Sequence, residues 1–140
     1  MKRKIYIRDG RRFKPVEDYT GYFYNEDGTF SKEKQTNSIG RCCLQTNEYR
    51  LIVEICKPKY MSWYEVQDYW KRCFSGRGRG PKDYELIQIK RYIPQNLRLW
   101  SSVEYSSSYA FSLRAGHGYL TCSNKRSTLY VLGFLELPIE

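Results

Sequence analysis

The side chains in this sequence best suited to covalent or metal chemistry are five cysteines, Cys42, Cys43, Cys56, Cys73 and Cys122, and one histidine, His117. Their spacing supports neither. No C-x-x-C pair occurs and a lone histidine is a poor start for a tetrahedral zinc site, so no metal is expected. A Cys–His dyad needs base and nucleophile within hydrogen-bond reach, and nothing in the spacing of His117 from Cys42 or Cys43 provides it. The thiols read instead as small buried hydrophobes. The chain also lacks a G-x-x-x-x-G-K-[S/T] phosphate loop, an H-E-x-x-H helix, a G-x-S-x-G elbow and a carboxylate pair at useful spacing, so neither catalysis nor a cofactor is expected.

What remains is the chemistry of contact. Arg77 and Arg79 alternate with glycine in Ser75-Gly76-Arg77-Gly78-Arg79-Gly80, a pattern that would neutralise phosphates in a nucleic-acid-binding element or serve as a solvated, mobile loop. The second reading is preferred, and nucleic acid is not the expected partner. The C-terminal third is rich in Ser, Tyr, Thr, Asn and Arg, which together supply rigid amphipathic area and adaptable hydrogen bonds. If Phe111, Leu113, Ala115, Leu120 and Cys122 face a core, period-two alternation sends Ser112, Arg114, Tyr119 and Thr121 outward. Loop positions Tyr105, Ser107, Tyr109, His117, Ser123, Lys125, Arg126 and Tyr130 join them to form the expected ligand-binding face.

These residues need a frame, and the sequence supplies its elements in order. Residues 1–20 alternate charged with apolar side chains (Ile5, Ile7, Phe13, Val16), as in a strand or extended arm. Tyr22-Phe23-Tyr24 leads into Asp27-Gly28, a hairpin turn that glycine's tolerance of positive φ favours. Ile39–Leu44 and Tyr49–Ile55 form a second antiparallel pair around Gln45-Thr46-Asn47-Glu48, with Leu51, Val53 and Ile55 on one face. Ser62 and Glu65 make a capping box for a helix over 63–73 whose buried stripe is Trp63, Val66 and Trp70. A second helix follows from Pro81, with Leu86, Ile89 and Ile93 as its stripe and Pro94 as its stop. From Leu99 onward the chain returns to strands, with Gly116–Gly118 as a turn and Leu129–Leu135 closing. The fold class is α+β, with antiparallel strands and hairpins around two mid-chain helices.

The order and several local motifs resemble the C-type-lectin-like modules of bacteria and their phages, the "major paralogous" and Lcl-type domains. The resemblance covers residues 21–135. It is carried by Tyr24, Asp27-Gly28-Thr29 and Phe30, by Ile39-Gly40, by Met61-Ser62-Trp63, by Pro81 with Glu85-Leu86, and above all by Leu99-Trp100-Ser101-Ser102-Val103-Glu104 running on to Ala110-Phe111. This chain departs from the family pattern at Gly78, where a Trp usually precedes Arg79, at Phe111, which replaces a second Trp, and at Leu132, where the closing strand usually carries Arg. The resemblance implies a C-type-lectin-like domain over 21–140 with residues 1–20 as an N-terminal arm or strand. It also implies a non-enzymatic role: a phage receptor-binding or tail-fibre module, or a variable protein of a diversity-generating retroelement, recognising a protein or glycan on a cell or particle surface. The alternative is a virion structural, decoration or fibre-attachment protein, with a homo-oligomer or virion partner. Calcium-dependent sugar binding, as in animal lectins of this fold, is not implied, because Ile93-Pro94-Gln95-Asn96 lacks an acidic partner for a hard cation. Trp100 is read as a buried keystone.

Composition agrees with a folded binding domain. The chain is 41% hydrophobic and 16% aromatic, too apolar for a disordered segment, and its 140 residues suit one domain. Twenty-four Lys and Arg against 15 Asp and Glu give a net charge of +9, which attracts nucleic acid, anionic membrane or acidic glycan alike. No run approaches the roughly 18 apolar residues of a membrane span, and Met1–Ile7 lacks the roughly 7–15-residue apolar stretch of a secretory signal. The expected location is therefore the bacterial cytoplasm or a phage virion, without membrane insertion.

Overall fold

The computed structural model describes residues 3–9, 12–57 and 59–139. The chain is α+β, mostly antiparallel, and divides into two compact units: Met1–Ile55 with Glu136–Glu140, and Cys56–Leu135.

In the first unit, β1 (Arg3–Asp9) and β2 (Arg12–Asp18) pair antiparallel in register Ile5↔Val16. The expected strand is thus a hairpin. Strands β3 (Phe23–Asn25) and β4 (Phe30–Ser31) close around Gly28, whose φ of 86° meets the turn's demand for a left-handed residue, while the Asp27 carboxylate accepts from the Thr29 amide and hydroxyl. β5 (Ser38–Gln45) and β6 (Tyr49–Glu54) complete a sheet in the order β4-β3-β5-β6. Ile52 is buried along with Leu51 and Val53, so burial is not confined to the single face that alternation suggests. The Gln45 side chain ties this sheet to the end of β2, accepting from the Tyr19 amide and the Arg50 guanidinium and donating to the Glu17 carbonyl.

All five cysteines are thiols. Cys42, Cys43 and Cys73 are buried and Cys56 is exposed. Burial pushes the Cys42 thiol up to about 12. Iodoacetamide at pH 8 is therefore expected to label Cys56 in the native protein and to reach Cys42, Cys43 and Cys73 only after denaturation, as peptide mass spectrometry would read. Because the fold holds the Cys42 proton up to about 12 while the unfolded thiol loses it near 9.0, this group's contribution to stability is intact below pH 9 and falls across that window.

The second unit opens with β7 (Lys59–Met61) and α1 (Trp63–Arg72). The capping box forms as the sequence predicts: the Glu65 amide donates to Ser62 Oγ (3.3 Å) and the Ser62 amide to Glu65 Oε1 (3.1 Å). Trp63, Val66, Tyr69 and Trp70 are its buried face. The helix is turned by Phe74, Ser75 and Gly76, with φ of 51°, 55° and 84°. The glycine-rich run that follows is not the mobile loop expected from its composition. Gly78-Arg79 forms the short strand β8 (Gly78–Arg79), paired with the start of β13 (Phe134–Pro138). A Cβ on Gly78 would lie 2.1 Å from Cys73 Sγ, and one on Gly80 2.5 Å from the Trp70 ring, so close packing selects both glycines.

α2 (Asp83–Ile89) starts two residues after Pro81 rather than at it. Leu86 and Ile89 are buried, as is Ile93 beyond a 3₁₀ turn at Lys90–Tyr92. Strands β9 (Arg98–Glu104), β10 (Tyr109–Arg114), β11 (Tyr119–Asn124) and β12 (Leu129–Val131) then join β7 in a sheet of order β11-β10-β9-β12-β7. One contact is parallel, β12 to β9 at Tyr130↔Leu99. All three indoles are buried and each donates to a main-chain carbonyl: Trp63 to Ser101 (3.0 Å), Trp70 to Leu132 (3.0 Å) and Trp100 to Met61 (2.9 Å). Trp100 is the keystone the sequence implies. Among the described residues no helix is long and apolar enough to cross a membrane.

Candidate binding surface at the two ends of the C-terminal sheet

Strand register decides where each candidate side chain goes. Across β9, β10 and β11 the residues align in rows: Arg98–Arg114–Tyr119, Leu99–Leu113–Leu120 and Trp100–Ser112–Thr121, with Phe111–Cys122 and Ala110–Ser123 further along. Alternate rows share a face. Trp100 and Ala110 belong to the core built around α1, while α2 packs against the same three strands and Leu99 and Leu113 are fully buried. Both faces of this sheet are therefore covered along its middle.

That double cover corrects the alternation argument. Ser112, assigned outward, has no exposure at all, and Ser123 is buried beside it; both lie on the Trp100–Ala110 face. The two hydroxyls satisfy one another at 2.8 Å, which removes the penalty of burying them unpaired. Thr121 and Tyr130 are half-buried, Tyr130 with its ring edge-on to Tyr60.

Lys125 is likewise not a surface contact. It is 3% exposed, its ammonium donates to Glu104 Oε2 (2.8 Å) and the Ser107 carbonyl (3.1 Å), and it lies 4.7 Å from the Trp63 ring centre. Its main chain accepts from the Trp63 amide and donates to the Ser108 carbonyl, both at 2.9 Å. Lys125 thus fixes the β9–β10 loop to the start of α1, and no short sequence pattern reveals a role built from three distant segments.

The exposed candidates form two groups at opposite ends of β10, roughly 17 Å apart by strand rise. At one end are Tyr105 and Ser107 in the β9–β10 loop and Tyr109 at the start of β10, with Arg126 from the β11–β12 turn. Tyr105 packs edge-on to Phe111, and Ser106 Oγ accepts from the Ser108 and Tyr109 amides, so the loop is internally braced. At the other end are Arg114, His117 and Tyr119, the imidazole stacked on the phenol ring at 5.7 Å and 19°. The face inferred from sequence is thus two sites.

The second end is concave. Two adjoining clefts of about 310 and 320 Å³ flank the Ala115–Gly118 turn and share Gln95, Gly116 and His117. Arg98 and Arg114 line one, Lys90 and Arg91 the other. Two glycines make this packing possible: a Cβ on Gly116 would stand 2.7 Å from the Gln95 carbonyl oxygen, and one on Gly118, at φ 69°, 2.8 Å from Lys90 Nζ. Arg98 was missed in sequence although it lies two residues before Trp100 and so shares that residue's face. Gln95, Lys90 and Arg91 reach the site only through tertiary packing.

Arg79, in contrast, is committed elsewhere. Its guanidinium grips Glu85 through two bonds of 2.8 Å and the Gly80 carbonyl through a third. Glu85 is fully buried and also accepts from the Lys82 amide, so the pair anchors the start of α2. Arg77 is exposed. Among the described residues no three His, Cys, Asp or Glu side chains group as a metal site. No family model and no curated protein matches the sequence.

Proposed function

We propose that this chain is a non-enzymatic ligand-binding module with a C-type-lectin-like fold, recognising a protein or glycan on the surface of a cell or particle through the two ends of its C-terminal sheet. One observation carries the reading. All three tryptophans are buried and tied to main-chain carbonyls, whereas Tyr105, Tyr109 and Tyr119 are 64%, 43% and 53% exposed in a loop and at strand ends of that same sheet. Large aromatic area left in solvent on a rigid frame is the composition of a recognition surface. The succession of capped helix, Pro81-preceded helix and Trp100-Ser101-Ser102 strand supports the C-type-lectin-like assignment. Within that family the role is a receptor-binding or tail-fibre tip, or a variable protein of a diversity-generating retroelement, whose variation would fall on the residues of these two ends.

The test is direct. The wild-type chain is applied to a glycan microarray and to intact bacterial cells, beside a Tyr105→Ala, Tyr109→Ala, Tyr119→Ala variant. Retention of the variant is expected to fall at least tenfold while its thermal midpoint stays within a few degrees of wild type, because exposed side chains contribute little to stability. Undiminished retention by the variant would refute this surface, and no retention of wild type on either support would refute the module reading.

A further inference from the structure

The turn end of the sheet carries a cross-strand pair of like charges. Arg98 and Arg114 are direct partners across β9 and β10, a placement that brings Cβ atoms to about 5 Å and is destabilising for two cations. Among the described residues neither forms an ion pair, and no carboxylate lines either cleft. Lys90 and Arg91 on the other side of the turn add two more positive charges. The first cleft is also lined by Asn96, by Gln95, whose amide nitrogen donates to the Lys90 and Ile93 carbonyls and leaves Oε1 as an acceptor, and by His117, whose ring stacks on Tyr119 in the same row as the two arginines. A concavity lined by one sign of charge focuses the field and raises the local concentration of anions.

The geometry points to a subsite for an anionic sugar residue: a carboxylate, sulfate or phosphate group held between the Arg98 and Arg114 guanidinia, with the ring alongside the His117–Tyr119 stack and its hydroxyls donating to Gln95 Oε1 and bonded to the Asn96 amide. Planar guanidinia suit an oxyanion through two parallel bonds. A flat aromatic pair beside the charge favours a sugar ring over a bare ion. This inference rests on the binding-module reading and gives one end of the surface its ligand class. At the Tyr105–Tyr109 end the Lys125 ammonium already serves Glu104, and Arg126 stands there without a second arginine across a strand pair.

A microarray holding matched neutral, carboxylated, sulfated and phosphorylated oligosaccharides, followed by titration of the best-bound member at low and moderate salt, tests it. Acidic members are expected to bind at least tenfold above their neutral counterparts and to weaken as salt rises. Arg98→Gln with Arg114→Gln is expected to abolish that preference, and its thermal midpoint to equal or exceed wild type because the like-charge pair is gone. Single Arg114→Gln serves as the milder variant. Which acidic series binds identifies the anion. Retention of neutral glycans or cells with no dependence on charge or on these arginines would overturn the subsite and leave the binding module standing. Equal competition by a single-stranded oligonucleotide of matched charge would overturn it in favour of nonspecific polyanion attraction, and no glycan bound at all would overturn the sugar assignment.

Discussion

Arg79→Ala is expected to destabilise the protein by about 3 kcal/mol, whereas Arg77→Ala, two residues away, should change stability by less than about 0.5 kcal/mol. The two arginines are indistinguishable by local sequence, each between glycines. Arg79 provides two charged donors to Glu85, whose side chain has no exposure, so truncation takes both from a buried carboxylate. The side chain of Arg79 is itself 25% exposed, and water entering the vacated space keeps the loss toward the lower end of what breaking a buried pair costs. Urea unfolding measures both variants. A further change of Glu85 to Leu in the Arg79→Ala background should recover part of the loss, since the uncompensated charge is then gone. Equal, small effects from both arginines would mean that the pair does not hold α2.

The second large effect is at Trp100. Trp100→Ala is expected to cost about 3–5 kcal/mol, through the cavity left by a side chain that is 1% exposed and through the Met61 carbonyl losing its indole donor. In a domain of this size that lowers the thermal midpoint by roughly 10 °C or more. Trp100→Phe keeps much of the volume but not the hydrogen bond, and should fall between wild type and Ala. Scanning calorimetry with the two variants separates the contributions. If Trp100→Ala melted like wild type and lost only ligand binding, Trp100 would belong to the surface and not to the frame.

Much of the frame is legible in the sequence because it is local. The Ser62–Glu65 box needs only residues three apart, the Asp27-Gly28 turn only glycine's positive φ, and the α1 stripe only a period near 3.6. These features are decided within a few residues, and the structure reproduces them within about two positions at the helix ends. The same holds for the choice of Trp100 as keystone, since the Ser101-Ser102 pair after it suits side-chain capping of irregular backbone rather than a flat exposed ledge.

What the sequence alone determines about this protein is therefore its elements, its α+β class and its concentration of Tyr, Ser and Arg in the last third. Tertiary structure decides which of those residues meet solvent. Alternation sorts β10 into two sets but cannot say which set is covered, and here α1 and α2 cover both, so Ser112 and Ser123 go inside with each other as partners. Lys125 goes inside because Trp63 converges on it from one segment and Glu104 with Ser107 from another. Arg98 and Arg114 become neighbours only through strand register, 16 residues apart in sequence. Local propensity acts within one element, whereas burial and charge proximity are set by what a distant segment packs against, and only the folded chain supplies that partner.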